Sequence, residues 1–144
     1  KNKILKIIDR YKLYPKTRLL GFKPYPVLMK EAYSHDIFIS PSVTAHDGDT
    51  EGGAPVTIIE MAAMGIPVVS TNHCDIPEII KDGETGFLSD ERDVNGLAKK
   101  LEWLINNNHK WLSIQEKARR HVEKEYNARL QGVRLSEIYR ELLN

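Results

Sequence analysis

Two short apolar runs constrain this chain more than anything else in it. "DIFIS" (Asp36 to Ser40) and "IPVVS" (Ile66 to Ser70) are nearly continuous in aliphatic and aromatic residues. Runs of that length predict strands buried on both faces, the habit of parallel sheets rather than of antiparallel sheets with one wet side. Parallel neighbours need a long crossover. One is available between the two runs, where Pro55 to Met64 predicts a helix that Gly65 ends.

The remaining pattern repeats the alternation. "RLLGF" (Arg18 to Phe22) predicts a strand ending at Gly21, and "VLMKEAY" (Val27 to Tyr33) a helix that starts after Pro26. "GFL" (Gly86 to Leu88) predicts a short strand after the turn Asp82-Gly83. Pro67 is tolerable near the start of its strand, where its missing N–H is not required. From Val94 onward the spacing is helical. Leu97, Leu101 and Leu104 form one stripe, Trp111, Ala118 and Val122 a second, and Leu130, Ile138 and Leu142 a third. The expected fold class is α/β, a doubly wound parallel sheet with C-terminal helices.

Composition narrows the function classes. With 144 residues, 41% hydrophobic and 28% charged, the chain reads as one soluble domain able to bury a core. No apolar run approaches the ~20 residues of a membrane-spanning helix, and no signal peptide opens the sequence. The lone Cys74 excludes an internal disulfide framework and fits a reducing compartment, so a cytoplasmic location is expected. A net charge of +1 gives no sign of a nucleic-acid partner. The charge is uneven, however: residues 1–30 hold nine Lys and Arg against Asp9 alone, an excess of +8 that leaves −7 for the rest. Lys1, Lys3, Lys6, Arg10 and Lys12 share a segment in which Ile4, Ile8 and Tyr11 recur at helical spacing. Either this is a solvated helix face, or a positive surface that meets an anionic ligand or the periphery of a membrane.

In doubly wound sheets ligands bind beyond the C-terminal ends of the strands. "HDGDTEGGAPVTIIE" (His46 to Glu60) occupies that position, directly after "DIFISPS". Asp47, Asp49, Glu51 and Gly52 match the opening of a calcium loop, but its twelfth position needs a bidentate Glu and holds Ile58. Asp47-Gly48-Asp49 also matches a short metal-binding D-x-D pattern, for which an ordinary Asp/Gly turn is the simpler account. No metal is expected. An anion fits better. Gly52, Gly53 and Ala54 lead into a helix whose first position is Pro55, and free N–H groups with the helix dipole make such an end receptive to phosphate. Glycines let a ligand approach the backbone. Glu60 follows about 7.5 Å along the axis, at ~1.5 Å per residue. On a face rich in Ile and Met its carboxylate needs a partner, and two neighbouring ribose hydroxyls would serve. An ordinary helix start with Glu60 exposed or bonded to backbone fits equally well. His35, His46, His73, His109 and His121 read as surface or turn residues. His73-Cys74-Asp75 sits on a strand-to-helix loop facing the site, without metal-ligand spacing.

"DIFISPSVTAHDGDTEGGAPVTIIEMAAMGIPVVST", followed by "IPEIIKDGETGFLS", resembles the nucleotide-sugar-binding half of retaining glycosyltransferases of family 4. The resemblance runs from about Arg18 to the C-terminal helices. It implies a Rossmann-like, three-layer α/β/α parallel sheet, the C-terminal half of the GT-B architecture, in which two such domains enclose a cleft. It implies a parent enzyme that moves a sugar from a nucleoside diphosphate sugar to an acceptor with retention, in polysaccharide or glycoconjugate synthesis, without metal or other cofactor. A nucleotide-sugar epimerase of the same architecture and a non-catalytic nucleotide-binding module are the alternatives. By resemblance Glu51 is the catalytic-site glutamate near the donor sugar. Gly52, Gly53, Ala54 and Pro55 form the loop and helix start that meet the diphosphate or sugar, and Glu60 binds the ribose. Gly21 and Phe22 lie near the base, and Ser42 forms a corner of the pocket. The family usually has seven residues between the two glutamates; here there are eight. The family's first strand, with an Arg and a Lys for the donor phosphates, has no counterpart before "KNKILKIIDRYKL". The chain therefore reads as 1–144 of a partial donor domain, its acceptor domain and first strand lying elsewhere. An acceptor sugar or lipid-linked glycan would be held by that other domain, and the fragment alone is expected to be inactive.

Overall fold

The computed structural model describes residues 2–50 and 52–143. Contacts divide the chain into two compact units, Lys1–Glu31 and Ala32–Asn144.

In the first unit, α1 (Asn2–Arg10) ends where Lys12 takes a left-handed φ of 53° and Leu13 N–H returns to the Ile8 carbonyl at 2.8 Å. Ile8 is buried, whereas Ile4, Ile7 and Tyr11 stay exposed. A 3-10 turn, Tyr14–Lys16, follows. "RLLGF" forms no strand. A strand exists only by pairing, and the one sheet among the described residues is built from later segments. The Arg18 guanidinium instead donates to the Glu31 carboxylate. Helix α2 (Tyr25–Tyr33) starts two residues before Val27. Pro26 is accepted in its first turn, where no N–H is missed, and the Pro24 carbonyl accepts from Val27 N–H at 3.0 Å.

The second unit is a parallel sheet with flanking helices. Its strands are β1 (Phe38–Ser40), β2 (Val68–Thr71) and β3 (Phe87–Ser89), in that spatial order. Phe38 pairs with Val68 and Val69 with Phe87. Only β2 has two neighbours, and all of it is buried. The sequence also predicts burial on both faces for "DIFIS", but β1 is an edge strand and its Ile39 is 42% exposed. Pro67 precedes β2 and still serves it, since its carbonyl accepts the Phe38 N–H at 2.9 Å.

Helix α3 (Val56–Ala63) is the crossover from β1 to β2. It ends at Gly65 as the sequence predicts: Gly65 N–H bonds to the Ala62 carbonyl at 3.1 Å and Ile66 N–H to Met61 at 2.9 Å, the paired bonds of a Schellman stop. A short α4 (Ile76–Ile79) follows β2. Three helices complete the unit: α5 (Val94–Asn106), α6 (Trp111–Glu125) and α7 (Ala128–Leu143). Helix α5 packs on β2 and β3, and α3 packs on α6 and β2. One core cluster joins Val69 and Phe87 of the sheet to Leu104 and Ile114, with Leu97, Leu101 and Trp111 packed against it. Each fully buried aliphatic chain of this kind contributes roughly 1.5–3 kcal/mol of transfer free energy. The first two helical stripes thus find their core. The third forms its helix but stays open, with Leu130, Ile138 and Leu142 at 45%, 52% and 77% exposure. Among the described residues no helix is long and apolar enough to cross a membrane.

Candidate functional site

Because all three strands are parallel, they end on one edge of the sheet, at Ser40, Thr71 and Ser89. Hydroxyls of the central strand draw the departing chains together. Ser70 Oγ donates to the Ser40 carbonyl at 2.6 Å, and Thr71 Oγ1 donates to the Ser42 carbonyl at 2.5 Å. Ser42, the expected pocket corner, is 8% exposed, and its N–H turns back to the Ser40 carbonyl at 2.9 Å. Asn72 N–H reaches the Ser89 carbonyl at 2.8 Å, and its amide donates to Asp90 Oδ1 at 2.9 Å.

The loop after β1 carries the acidic segment. Ala45 N–H bonds to the Asp49 carbonyl at 2.8 Å, and Asp49 N–H to Asp47 Oδ1 at 3.2 Å. Asp47 therefore serves its own turn, as short Asp side chains commonly do. Glu51 lies outside the described residues. Gly52 and Gly53 follow with φ of 59° and 63°, both left-handed, a conformation that costs a residue with a Cβ roughly 1–2 kcal/mol. Both are exposed, and a Cβ at Gly53 would lie 3.9 Å from Asp75 Oδ2, so the loops after β1 and β2 approach each other there.

Pro55 is not the first helical residue. Its ψ of 120° is extended, which makes it the cap, and its carbonyl accepts the Ile58 and Ile59 N–H groups at 3.0 and 3.3 Å. Among the described residues no side-chain cap bond is made at Pro55, and the first amides of a helix have no intrahelical acceptor. Ala54 is half-buried at this entrance. Ile58, Met61 and Ala62 turn α3 inward, while Glu60 is half-buried on the second turn. The structure thus gathers Ser42, Gly52, Gly53, Ala54, Pro55 and Glu60 along one loop and its helix. Gly21, with φ of 64°, and Phe22, at 99% exposure, belong to the first unit.

One residue of this edge escapes the sequence reading. Glu91, after β3, accepts from Thr44 N–H at 2.8 Å and from Thr44 Oγ1 at 3.2 Å. His73 Nδ1 lies 2.6 Å from Glu91 Oε1, the oxygen that also accepts the Thr44 hydroxyl. Arg92 adds an ion pair at 3.5 Å and donates to the Thr44 carbonyl. The His73 hydrogen bond, then the Thr44 N–H, hold the Glu91 carboxyl below its ordinary value of 4.5, against the opposing effect of burial. His73 is accordingly no surface residue: it is 1% exposed, with Cys74 Sγ 3.4 Å from its Nε2. The other histidines remain at or near the surface. The sequence carries a signal for Glu91: "SDERD" leaves the third strand as "NHCD" leaves the second, on the edge where ligands bind in such sheets. Beside this network Pro41, Val43, Thr71, Arg92 and Leu97 line a cavity of about 200 Å³.

Comparison with known proteins agrees with the fold. A family model described as "Glycosyl transferases group 1" matches residues 1–124. The chain is 39% identical over 125 residues to the amylovoran biosynthesis glycosyltransferase AmsK of Erwinia amylovora, covering 87% of this chain and 30% of that protein. It is 35% identical over 137 residues to the putative colanic acid biosynthesis glycosyltransferase WcaL of Escherichia coli, covering 94% of this chain and 34% of that protein. It therefore spans about a third of the length of these relatives. Among solved structures, that of HepE from Anabaena in complex with UDP superposes with a TM-score of 0.83 at 23% identity, covering 97% of this chain and 36% of HepE.

Proposed function

Since this chain belongs to the group 1 glycosyl transferases, we propose that it forms the donor-binding part of an enzyme that moves a sugar from a nucleoside diphosphate sugar to a growing polysaccharide, retaining the anomeric configuration. The observation that carries the reading is the pair of left-handed glycines at the start of α3, set over the C-terminal edge of a GT-B-type, Rossmann-like parallel sheet. An end of this kind presents N–H groups and the positive pole of the helix to a diphosphate. Two adjacent residues without a Cβ let that group come against the backbone. As the donor bond breaks, negative charge develops on the departing diphosphate, and fixed N–H groups aimed at it stabilise that charge without reorganising. Glu60, on the second turn, holds the ribose through paired O–H donors. Glu51 is assigned to the donor sugar.

The relatives' names support a polysaccharide product, and UDP in the structure of HepE supports a nucleotide donor. The acceptor is assigned to the part of the protein beyond this chain. The test is calorimetric titration with UDP, GDP and ADP. Glu60→Ala should weaken the nucleotide that binds by about tenfold or more, the scale of a lost charged hydrogen bond. Unchanged affinity would remove the ribose role.

A further inference from the structure

We propose that Glu91 is a positioning residue: it staples the root of the donor loop to the end of β3, and so sets how well the glycine pair and α3 meet a nucleotide. The inference rests on the donor-site reading above. Three observations carry it. Glu91 bonds to both the N–H and the hydroxyl of Thr44, the residue from which the loop departs. Its neighbour Arg92 holds the carbonyl of the same residue, so Thr44 is gripped at all three of its polar groups from one loop. His73, 1% exposed, comes from the loop after β2 and reaches the same carboxylate, so one side chain ties together the chains leaving all three strands.

The staple is placed to act at a distance. Beyond Thr44 the loop closes a small turn of its own, Gly48 N–H to the Ala45 carbonyl at 3.1 Å and Ala45 N–H to Asp49. After that turn come the two glycines, whose lack of a Cβ leaves their conformation to be fixed by the segment's ends. One end is the N-terminus of α3, held by its packing. The other is Thr44. The hydrogen bonds and ion pair of Glu91 go to Thr44, His73 and Arg92, not to the glycine pair or α3. Its effect on binding therefore passes through the loop.

Three variants test this in the full protein: Glu91→Ala, Glu91→Gln, and the core variant Ile114→Ala, which is destabilised without touching the loop. Calorimetry with UDP, GDP and ADP, each separately, should show binding about tenfold weaker in Glu91→Ala. Glu91→Gln, whose amide oxygen still accepts the Thr44 N–H, should stay within about threefold of wild type, as should Ile114→Ala. Wild-type affinity in Glu91→Ala overturns the proposal. So does an equal loss in Glu91→Gln, which would assign the effect to charge, or in Ile114→Ala, which would assign it to stability. If the unaltered protein binds none of the three nucleotides, the donor reading fails, and amide hydrogen exchange without ligand still decides on the staple. Exchange at Ala45 and Gly48, whose N–H groups are bonded within the turn, should quicken about tenfold in Glu91→Ala and not in Glu91→Gln; equal rates in all variants overturn it.

Discussion

Gly86→Ala tests whether the sheet is packed as described. Gly86 sits just before β3 and forms a parallel bridge with Asp82. Its backbone does not occupy the left-handed region, so a methyl group there brings no conformational strain. The whole effect is steric. An ideal Cβ would lie 2.8 Å from the Val68 carbonyl oxygen and 2.9 Å from Ile80 Cγ2. The first is backbone of the central strand and the second a branched side chain that is 1% exposed, so neither can swing aside. Overpacking of a well-filled core costs typically 1–3 kcal/mol, and two rigid obstacles place this change in the upper part of that range, about 2–3 kcal/mol. For a chain of this size each kcal/mol lowers the midpoint by about 2–4 °C, so a fall of about 4–12 °C is expected. The assay is thermal and urea denaturation followed by circular dichroism, with Gly132→Ala as control. Gly132 lies in α7 with nothing within 4 Å of its hypothetical Cβ, so alanine there should stabilise by roughly 0.5–1 kcal/mol. A Gly86→Ala protein within about 0.5 kcal/mol of wild type would refute the packing of β3 against β2.

Two further outcomes follow. Gly53→Ala should cost about 1–2 kcal/mol through its left-handed backbone and weaken nucleotide binding more than it lowers stability, read by paired denaturation and calorimetry. Glu91 has a folded-state value below its ordinary 4.5, so its contribution is complete above that pH and is lost as pH falls through the lower folded value; the gap in urea midpoint between wild type and Glu91→Gln should therefore narrow on acidification from pH 6 to pH 3, and a constant gap contradicts the network.

The sequence makes the local devices legible and the pairing less so. Gly65 ends α3, and "IPVVS" forms the buried strand, because a Schellman stop and a continuous apolar run are encoded within a few residues. "RLLGF" has the same apolar look, yet whether it becomes a strand depends on a partner its own residues do not specify. "DIFIS" becomes a strand but lies at an edge, so the burial its apolar run predicts is not reached, for the same reason. The third helical stripe shows the limit from another side: Leu130, Ile138 and Leu142 announce a helix face without saying what would cover it. At the site, the glycine pair is legible, while its left-handed geometry is one that glycine permits without dictating. The place of Glu91 just beyond a strand end is legible in the same way, but its partners are not, because they lie 18 and 47 positions away.

The anchored ends of the loop between Thr44 and Pro55 have an evolutionary consequence. Thr71 and Glu91 fix one end and the packing of α3 fixes the other, so neither depends on the number of residues strung between them. Adding one residue to a loop of this length changes its closure entropy by only about 0.1 kcal/mol. The segment is therefore an exchangeable cassette. Insertions and deletions in it can be sampled nearly free of selection on folding, so its length can drift while the sheet and α3 stay as they are.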